Sequence, residues 1–414
     1  MAYPLGGKGG RPILRKVALL LTALLALGGC AKPTQGPPPE PKPLEVVPVQ
    51  APPAPPVRGR ILAVGDLLMH LPLVTISETK DGYDFTPLFQ EVKPWIEGAD
   101  LAIANLETTL TGPAYPYSNY PTFNTPQEFA RDIKKVGFDA IVHANNHALD
   151  YGEYGLTQTS ESLERAGLPH IGTARTPAEA EKILVLDVVP GIKLALLNYS
   201  YSTNGIPLPQ PWSVNLLDKD RVRADVRRAR QLPAVDLVAV AFHYGDEDTR
   251  EPNQQQIEFN DLAIQAGADM IFGDHVHATQ RVEFLPKVKD EWGRVKNRAV
   301  FYGLGNFISR QLELHQECGL IGLVDLVKQN GESEVESMAI IPTWRQNWWD
   351  GGLKRTRVVV MEKAMADYKA GTDPLMTTEA YERLQLAWND TLRWTVAETK
   401  VPVYSYKESP VLKR

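Results

Sequence analysis

The sequence predicts an α/β fold, and two patterns that recur from residue 60 onward carry this prediction. Short apolar runs of strand length alternate with longer amphipathic stretches of helical period, which is typical of an α/β sandwich. Several of the runs are apolar at successive positions, as expected for strands that are covered on both faces. The 414 residues are 43% hydrophobic and 23% charged, which suits one large globular unit with appendages.

Nine apolar runs predict strands: Arg60–Gly65, Leu101–Asn105, Ala140–Ala144, Ile183–Val188, Lys193–Asn198, Asp236–Phe242, Ala268–Phe272, Ala299–Gly303 and Leu320–Val327. Amphipathic segments predict helices at Pro126–Val136, Tyr154–Ala166, Arg221–Arg230, Gln254–Ala266 and Thr378–Arg393. We assign residues 58–343 to one domain and residues 344–414 to a C-terminal extension.

Charge and cysteine content exclude two classes of function. The formal net charge of −6 and the pI of about 5.8 argue against a nucleic-acid partner held by positive charge. The two cysteines exclude a disulfide-rich scaffold and a cysteine-based zinc cluster. The five arginines of the segment Arg221–Arg230 alternate with Asp220 and Asp225, and the segment is predicted to be a solvated helix face, with a docking patch for an anionic polymer as the alternative.

Residues 1–29 are typical of a secretory signal. Basic residues up to Lys16 precede an apolar run, Val17–Leu27, which is shorter than the about 20 residues that span a bilayer. The Leu-Gly-Gly-Cys string that ends at Cys30 resembles a bacterial lipobox, in which an acylated Cys30 would anchor the protein to the cell membrane. A plain secretory signal or an uncleaved anchor is the alternative, and in each case the protein is expected outside the cytoplasm.

Residues 30–57 are predicted to be a linker. This stretch contains eleven prolines and lacks apolar periodicity, so it has no means of forming a core. A polyproline spacer of this kind extends by about 3 Å per residue and would hold the following domain away from the membrane.

Five of the predicted strands end in clusters of side chains that can bind metals or transfer protons. Ligands of open α/β sheets bind outside the carboxyl ends of the strands, where these clusters would converge. The clusters comprise Asp66 and His70; Asn105 and Glu107; Asn145, Asn146, His147 and Asp150; His243; and Asp274, His275 and His277.

The chemistry of these side chains predicts a site for one or two divalent metal ions. Carboxylate, amide and imidazole ligands without thiolates suit Mn, Fe or Zn. Two ions a few ångströms apart would polarise a substrate oxygen and lower the pKa of bound water toward about 7.

Six short motifs follow one another along the chain: Gly65-Asp66, Asn105-Leu106-Glu107, Asn145-Asn146-His147 with Asp150, His243-Tyr244-Gly245, His275-Val276-His277 and Gly305-Asn306-Phe307. Their order, over roughly residues 60 to 330, resembles the CapA family of poly-γ-glutamate capsule biosynthesis proteins within the calcineurin-like metallophosphoesterase superfamily. This resemblance implies a four-layer α/β/β/α sandwich with a dinuclear metal centre and work on a polymer outside the cell membrane.

The resemblance also implies the metal ligands. Glu107 stands where the superfamily usually has an aspartate that bridges the two ions. The other implied ligands are Asp66 and His277 at the first site, and Asn146, His243 and His275 at the second.

The remaining motif residues have implied roles in catalysis and substrate binding. His147 occupies the position of the superfamily's general acid, and Asp150 would orient it. Asn105 and Asn306 are assigned to substrate binding, with a tight turn as the alternative role for Asn306.

Two departures from the broader superfamily leave the reaction open. Asp66 is followed by two leucines, so that the nearest histidine is His70, and Glu107 is longer than aspartate. We therefore expect a CapA-like protein in synthesis, export or attachment of poly-γ-glutamate, with the polymer or its membrane synthase as partner. The alternatives are a metallophosphoesterase acting on an extracytoplasmic phosphate ester, and a non-catalytic polymer-binding or scaffold module.

Other candidate residues are expected to be structural. His143 lies within an apolar run and is predicted to be a core histidine, and Asp274 is predicted to cap a loop. For His70 two roles are left open, that of a metal ligand and that of a loop residue. Three tryptophans are predicted to pack at the edge of the core, with an exposed aromatic surface as the alternative: Trp344, Trp348 and Trp349.

Overall fold

The computed structural model of the protein describes Gly36 and residues 55–408. The predicted signal peptide, the lipidation site Cys30 and the predicted linker up to residue 54, apart from Gly36, lie outside the described residues. From residue 55 onward the described residues belong to one compact unit.

Sixteen strands run through the described residues: β1 Val57–Leu67, β2 Glu78–Thr79, β3 Gly82–Tyr83, β4 Leu101–Leu106, β5 Ala140–Val142, β6 His170–Ile171, β7 Leu184–Val189, β8 Ile192–Ser200, β9 Leu237–His243, β10 Met270–Asp274, β11 Val282–Lys289, β12 Val295–Phe301, β13 Asn306–Ile308, β14 Cys318–Gln329, β15 Glu332–Asp350 and β16 Leu353–Val360. The α-helices of this part are α1 Leu71–Ile76, α2 Lys93–Glu97, α3 Glu128–Val136, α4 Gly152–Arg165, α5 Pro177–Ala180, α6 Lys219–Gln231, α7 Gln254–Ala266, α8 Met361–Ala370 and α9 Thr378–Thr395.

Two large sheets form the middle of the fold. The first has the order β16-β15-β14-β1-β4-β5-β6, and the short strand β13 also pairs with the end of β1. In this sheet β1, β4, β5 and β6 are parallel, whereas β14, β15 and β16 form an antiparallel extension. The second has the order β11-β12-β10-β9-β8-β7, with four parallel central strands and antiparallel strands at both edges.

The two sheets pack face to face, and helices cover their outer faces. Alternate residues of β1 point to opposite sides, so that Ile61 and Ala63 join a core shared with the second sheet. Leu62 and Val64 face the other way, into a core that α1, α2 and α3 complete. Helices α6 and α7 pack on the outer face of the second sheet. The four-layer α/β/β/α sandwich is therefore confirmed.

An aspartate stands directly before four of the parallel strands, at Asp100, Asp139, Asp236 and Asp269. Each carboxylate accepts a hydrogen bond of 2.8–3.0 Å from a backbone N–H of the adjacent strand, at Arg60, Ala102, Lys193 and Val238. Because each bond joins the amino end of one strand to its neighbour, the four aspartates help to fix the register of both sheets.

The predicted elements are present, with two differences at the domain boundaries. All nine predicted strands and all five predicted helices occur, most with ends shifted by one to four residues. Strand β1 already begins at Val57, which we had placed in the linker. Strand β15 runs through the predicted boundary at residues 343 and 344, because it pairs along its length with β14 and β16. Residues 344–408 therefore continue the first sheet and its helical cover.

Among the described residues, no helix combines the length and the apolar character that a bilayer crossing needs.

A buried ion network at the amino end of β10 is expected to contribute strongly to stability. Asp269 accepts hydrogen bonds from Arg298, at 2.7 Å, and from Arg230, and the Arg298 side chain is fully buried. Replacing Asp269 by alanine leaves Arg230 without its carboxylate partner and Arg298 with Asp290 alone, so we expect the free energy of unfolding to fall by about 3–5 kcal/mol. Urea titration measures the loss. The exposed Asp187, which pairs with Lys193, is the control, and equal effects of Asp269→Ala and Asp187→Ala would contradict this role.

Candidate metal centre

The six predicted metal ligands meet where strands of both sheets end. Asp66 lies near the end of β1, and Glu107 directly follows β4. The other four come from the loop after β5, from the last residue of β9 and from the loop after β10. All six side chains are buried, and we call them together the strand-end site: Asp66, Glu107, Asn146, His243, His275 and His277.

Donor atoms of these residues form two sets that share one carboxylate. Glu107, His243 and His275 form one set, and Asp66, Glu107 and His277 form the other. Within each set the potential ligand atoms lie within 4.8 Å of one another. Glu107 thus belongs to both sets.

The Glu107 carboxylate fits a cation because its hydrogen-bonding capacity is unused among the described residues. Neither of its oxygens accepts a hydrogen bond from a described residue, although the side chain is fully buried. Burial, and then the negative charge of Asp66, raises the pKa of Glu107 well above its ordinary value. Nδ1 of His275 is also buried without a hydrogen-bond partner. Buried polar atoms are nearly always paired, so these orphaned atoms indicate a ligand.

Asp66 is held in its ionised form. Its carboxylate accepts a hydrogen bond from Nδ2 of Asn105 at 2.7 Å and lies 3.2 Å from Nδ1 of His277. Burial raises the pKa of this carboxyl group, but the hydrogen bond and charge of His277 outweigh burial and hold the pKa below its ordinary value.

The closeness of Asp66 to β13 depends on a glycine. A Cβ atom at Gly65 would lie 1.9 Å from the carbonyl oxygen of Gly305, so no larger residue fits there. The N–H of Asp66 donates to that same oxygen at 3.1 Å, and Asp66 pairs in register with Asn306. Gly65 therefore allows the first motif to meet the last one.

His243 is neutral and lies among polar partners. Burial lowers its pKa to about 3. Nδ1 of His243 lies 3.2 Å from Nδ2 of Asn105, and Nε2 lies 2.7 Å from Oδ1 of Asn146. Because Asn105 Nδ2 is a donor, Nδ1 accepts and Nε2 carries the proton toward Asn146. A cation in place of that proton leaves His243 Nε2 and Asn146 Oδ1 available as ligands.

His275 and His277 both have left-handed backbone conformations, with φ values of 91° and 53°. Such angles are uncommon outside glycine, and they cluster at functional sites. The conformations direct the two rings into one site, where their centroids are 6.0 Å apart. The ring of Tyr201 lies 4.3 Å from that of His275, a neighbour that the sequence analysis missed.

His147 and Asp150 form a buried pair beside the strand-end site. Nδ1 of His147 lies 2.8 Å from Oδ2 of Asp150, and that oxygen also accepts the N–H of Phe123 at 2.6 Å. Burial raises the pKa of Asp150, against the opposing effects of these two contacts. The contact at Nδ1 leaves Nε2 as the ring atom that can exchange a proton with a substrate.

Asn105 and Asn306, predicted to bind substrate, lie within the ligand cluster. Asn105 is 1% exposed and contacts both Asp66 and His243. Asn306 is 2% exposed, and its Oδ1 lies 3.1 Å from Nδ1 of His277. Asn145, quoted only as part of a motif, donates to Oδ1 of Asn105 at 3.2 Å. These amides hold the ligands in place, a role that the spacing of the motifs alone does not reveal.

The other candidates separate into core residues and neighbours of the site. His143 is fully buried, contacts Thr173, and has its pKa lowered by burial to about 3, as expected of a core histidine. His70 belongs to neither donor set. Asp274 differs from the predicted loop cap: it ends β10 with Oδ1 buried and unpaired, and burial and the charge of Asp66 raise its pKa well above the ordinary value. Trp344 is buried, whereas Trp349 is 73% exposed.

Comparison with known proteins supports the family resemblance that the order of the motifs predicts. The family described as "Bacterial capsule synthesis protein PGA_cap" matches residues 60–311, a span that contains the whole strand-end site. The "PGA biosynthesis protein CapA" of Bacillus subtilis (strain 168) is 26% identical over 254 residues, which are 60% of this chain and 62% of that protein. The "Capsule biosynthesis protein CapA" of Bacillus anthracis is 26% identical over 259 residues, which are 60% of this chain and 59% of that protein. The chain thus spans about six-tenths of the length of both relatives.

Among solved structures, the calcineurin-like phosphoesterase YfkN from Bacillus subtilis aligns with 82% of this chain and 99% of its own, at 15% identity and a TM-score of 0.40. The family match covers more than half of the sequence and includes every implied ligand, from Asp66 to His277. The resemblance to CapA proteins is therefore confirmed, and the chain belongs to the bacterial capsule synthesis family PGA_cap.

Proposed function

We propose that this protein is a lipid-anchored, extracytoplasmic, metal-dependent component of the machinery that makes a poly-γ-glutamate capsule, acting in synthesis, export or attachment. Membership of the PGA_cap family and the names of the two Bacillus relatives support the link to a capsule. The observation that carries the metal dependence is the buried, unpaired carboxylate of Glu107, which two sets of donor atoms share.

The strand-end site offers ligands for one or two divalent ions. Asp66, Glu107 and His277 would hold one ion. Glu107, His243 and His275 would hold the other, with Oδ1 of Asn146 beside His243. Oxygen and imidazole ligands without thiolates suit Mn, Fe or Zn. Such ions supply Lewis acidity and lower the pKa of bound water toward about 7.

The side chains around the ions would orient substrate and move a proton. Asp150 holds the ring of His147 through Nδ1, so Nε2 donates a proton to a leaving oxygen. Asn105 fixes Asp66 and His243 in their relative positions by contacting both. The site is thus equipped for hydrolysis or transfer at an acyl or phosphoryl group.

The pairing of His147 with Asp150 favours one second candidate, hydrolysis of an extracytoplasmic phosphate ester. A histidine held by a carboxylate beside a dinuclear site is the arrangement that the superfamily resemblance implies for phosphoester chemistry.

Bound metal is the direct test of the strand-end site. We expect elemental analysis of the purified full chain to find one or two equivalents of Mn, Fe or Zn. His275→Ala removes a ligand and is expected to weaken metal affinity by about 100-fold or more. His315→Ala is the control, because His315 is partly exposed and pairs with Asp248 outside the two donor sets. A stoichiometry near zero in the wild type would contradict metal dependence.

Polymer production in the host tests the proposed function. Deleting the gene is expected to abolish extracellular poly-γ-glutamate, measured by staining and by glutamate release after acid hydrolysis, and the wild-type gene restores it. His147→Ala is expected to fail in this complementation because it removes the proton donor. Full complementation by His147→Ala would favour the scaffold role, and normal polymer in the deletion strain would refute the capsule function.

The two cysteines provide a matched test of the lipid anchor. Cys30→Ala removes the acylation site and is expected to shift the protein from the membrane fraction to the soluble fraction, measured by fractionation and immunoblotting. Cys318 is buried in the core, so Cys318→Ala is expected to stay with the membrane. Membrane association of Cys30→Ala would contradict lipidation at this residue.

A further inference from the structure

A group of positively charged side chains lies next to the strand-end site, on the antiparallel extension of the first sheet. Arg345 belongs to β15, Lys354 belongs to β16, and Arg310 lies in the loop between β13 and β14. In the hairpin of β15 and β16, Arg345 pairs with Val358 and Trp349 pairs with Lys354. Arg345 and Trp349 are an even number of residues apart along β15, so Arg345 and Lys354 lie on one face of the hairpin. We call Arg310, Arg345 and Lys354 the cationic cluster.

The cationic cluster has one acidic partner among the described residues, Glu317, which contacts Arg345. The Arg345 side chain is 1% exposed, yet its Nε and Nη1 atoms have no hydrogen-bond partner among the described residues. Arg310 donates to the neutral side chains of Asn347 and Thr356. Neither Arg310 nor Lys354 forms an ion pair with a described residue.

Glu317, whose carboxylate contacts the cationic cluster, also has partners outside the cluster. Glu317 accepts from Arg345 at 3.1 Å, from Arg383 at 2.6 Å and from the indole N–H of Trp344 at 3.2 Å. Burial and the charges of Arg310 and Arg345 lower the pKa of Lys354, which indicates uncompensated positive charge. By contrast, each of the five arginines of α6 has an acidic partner.

The cationic cluster and the strand-end site are linked by contacts of the loop that follows β13. Asn306, which contacts His277, also donates to Oε1 of Gln311 at 2.7 Å. The N–H of Arg310 donates to Nδ1 of His70 at 3.2 Å. Asn306 and Arg310 are four residues apart, so their Cα atoms are separated by at most about 14 Å. One extended ligand can therefore span both places.

We propose that Arg310, Arg345 and Lys354 form a carboxylate-binding subsite that holds acidic groups of a γ-glutamyl chain while a neighbouring unit lies at the strand-end site. This inference rests on the proposed function, which supplies the polymer. Guanidinium and ammonium groups bind carboxylates through charge-assisted hydrogen bonds. Arg310 and Lys354 are partly exposed and can meet such acceptors, whereas the buried Arg345 adds positive charge behind them. Trp349, opposite Lys354 in the hairpin and 73% exposed, offers apolar surface to the methylene groups of the chain.

Binding of a fluorescent γ-glutamyl oligomer to the full chain in mild detergent, followed by anisotropy, tests the proposal. The double variant with Arg310→Gln and Lys354→Gln is expected to bind the oligomer about tenfold or more weakly, with a smaller dependence on salt. Its metal content and unfolding midpoint are expected to match those of the wild type. The control is Arg223→Gln, since Arg223 is an exposed residue of α6 that pairs with Asp220.

Several outcomes would overturn the subsite. Equal binding by the wild type and the double variant would show that the cationic cluster does not bind the oligomer. A loss of binding confined to Arg223→Gln would place the binding surface on α6. Wild-type protein that binds polyphosphate and ignores the γ-glutamyl oligomer excludes the carboxylate ligand. Each of these results is independent of polymer production in the deletion strain, so failure of the subsite and failure of the capsule function are distinguishable.

Discussion

Repulsion among buried carboxylates is the constraint on which the strand-end site depends. Asp66, Glu107 and Asp274 are buried together, and burial followed by the charge of Asp66 raises the pKa of the other two. Burying acids in this way is unfavourable unless protons or cations balance their charge. Burial lowers the pKa of His243 and His275, so these rings supply little positive charge of their own. Divalent cations bound at the proposed metal site would balance the charge of these carboxylates.

Much of the fold and of the site is predictable, because both depend on simple periodicities. Strands covered on both faces are apolar at successive positions, which makes β8 and β9 evident as runs. Parallel strands have their carboxyl ends at one edge, so a polar residue after each run must approach the others. For this reason Glu107 and His243, far apart in sequence, are expected near each other, and their side chains come within 3.5 Å.

Other features depend on context that a single sequence does not contain. Strand β15 is missed because its second half mixes tryptophan with arginine, glutamine and asparagine, and β13 is missed because it is three residues long. Nothing in the sequence distinguishes the buried Arg345 from an exposed arginine, since only tertiary packing covers it. The roles of Asn105 and Asn145 also arise from contacts between strands. The aspartates before parallel strands are a signal that is visible in the sequence, as in the Gly-Ala-Asp strings that end at Asp100 and Asp269.

Buried acidic groups have partners at one end of β10 and lack them at the other. The first arrangement contributes to stability, whereas the second belongs to the candidate site. At the amino end, Asp269 has Arg230, Arg298 and a backbone N–H as partners, and its charge is fully engaged. At the carboxyl end, Asp274 and the nearby Glu107 keep oxygens without partners. Both ends are equally remote from water, so burial alone does not explain the difference. Paired charges hold the register of the sheet at one end, whereas at the other end the proposed metal ions would supply the partners that these oxygens lack.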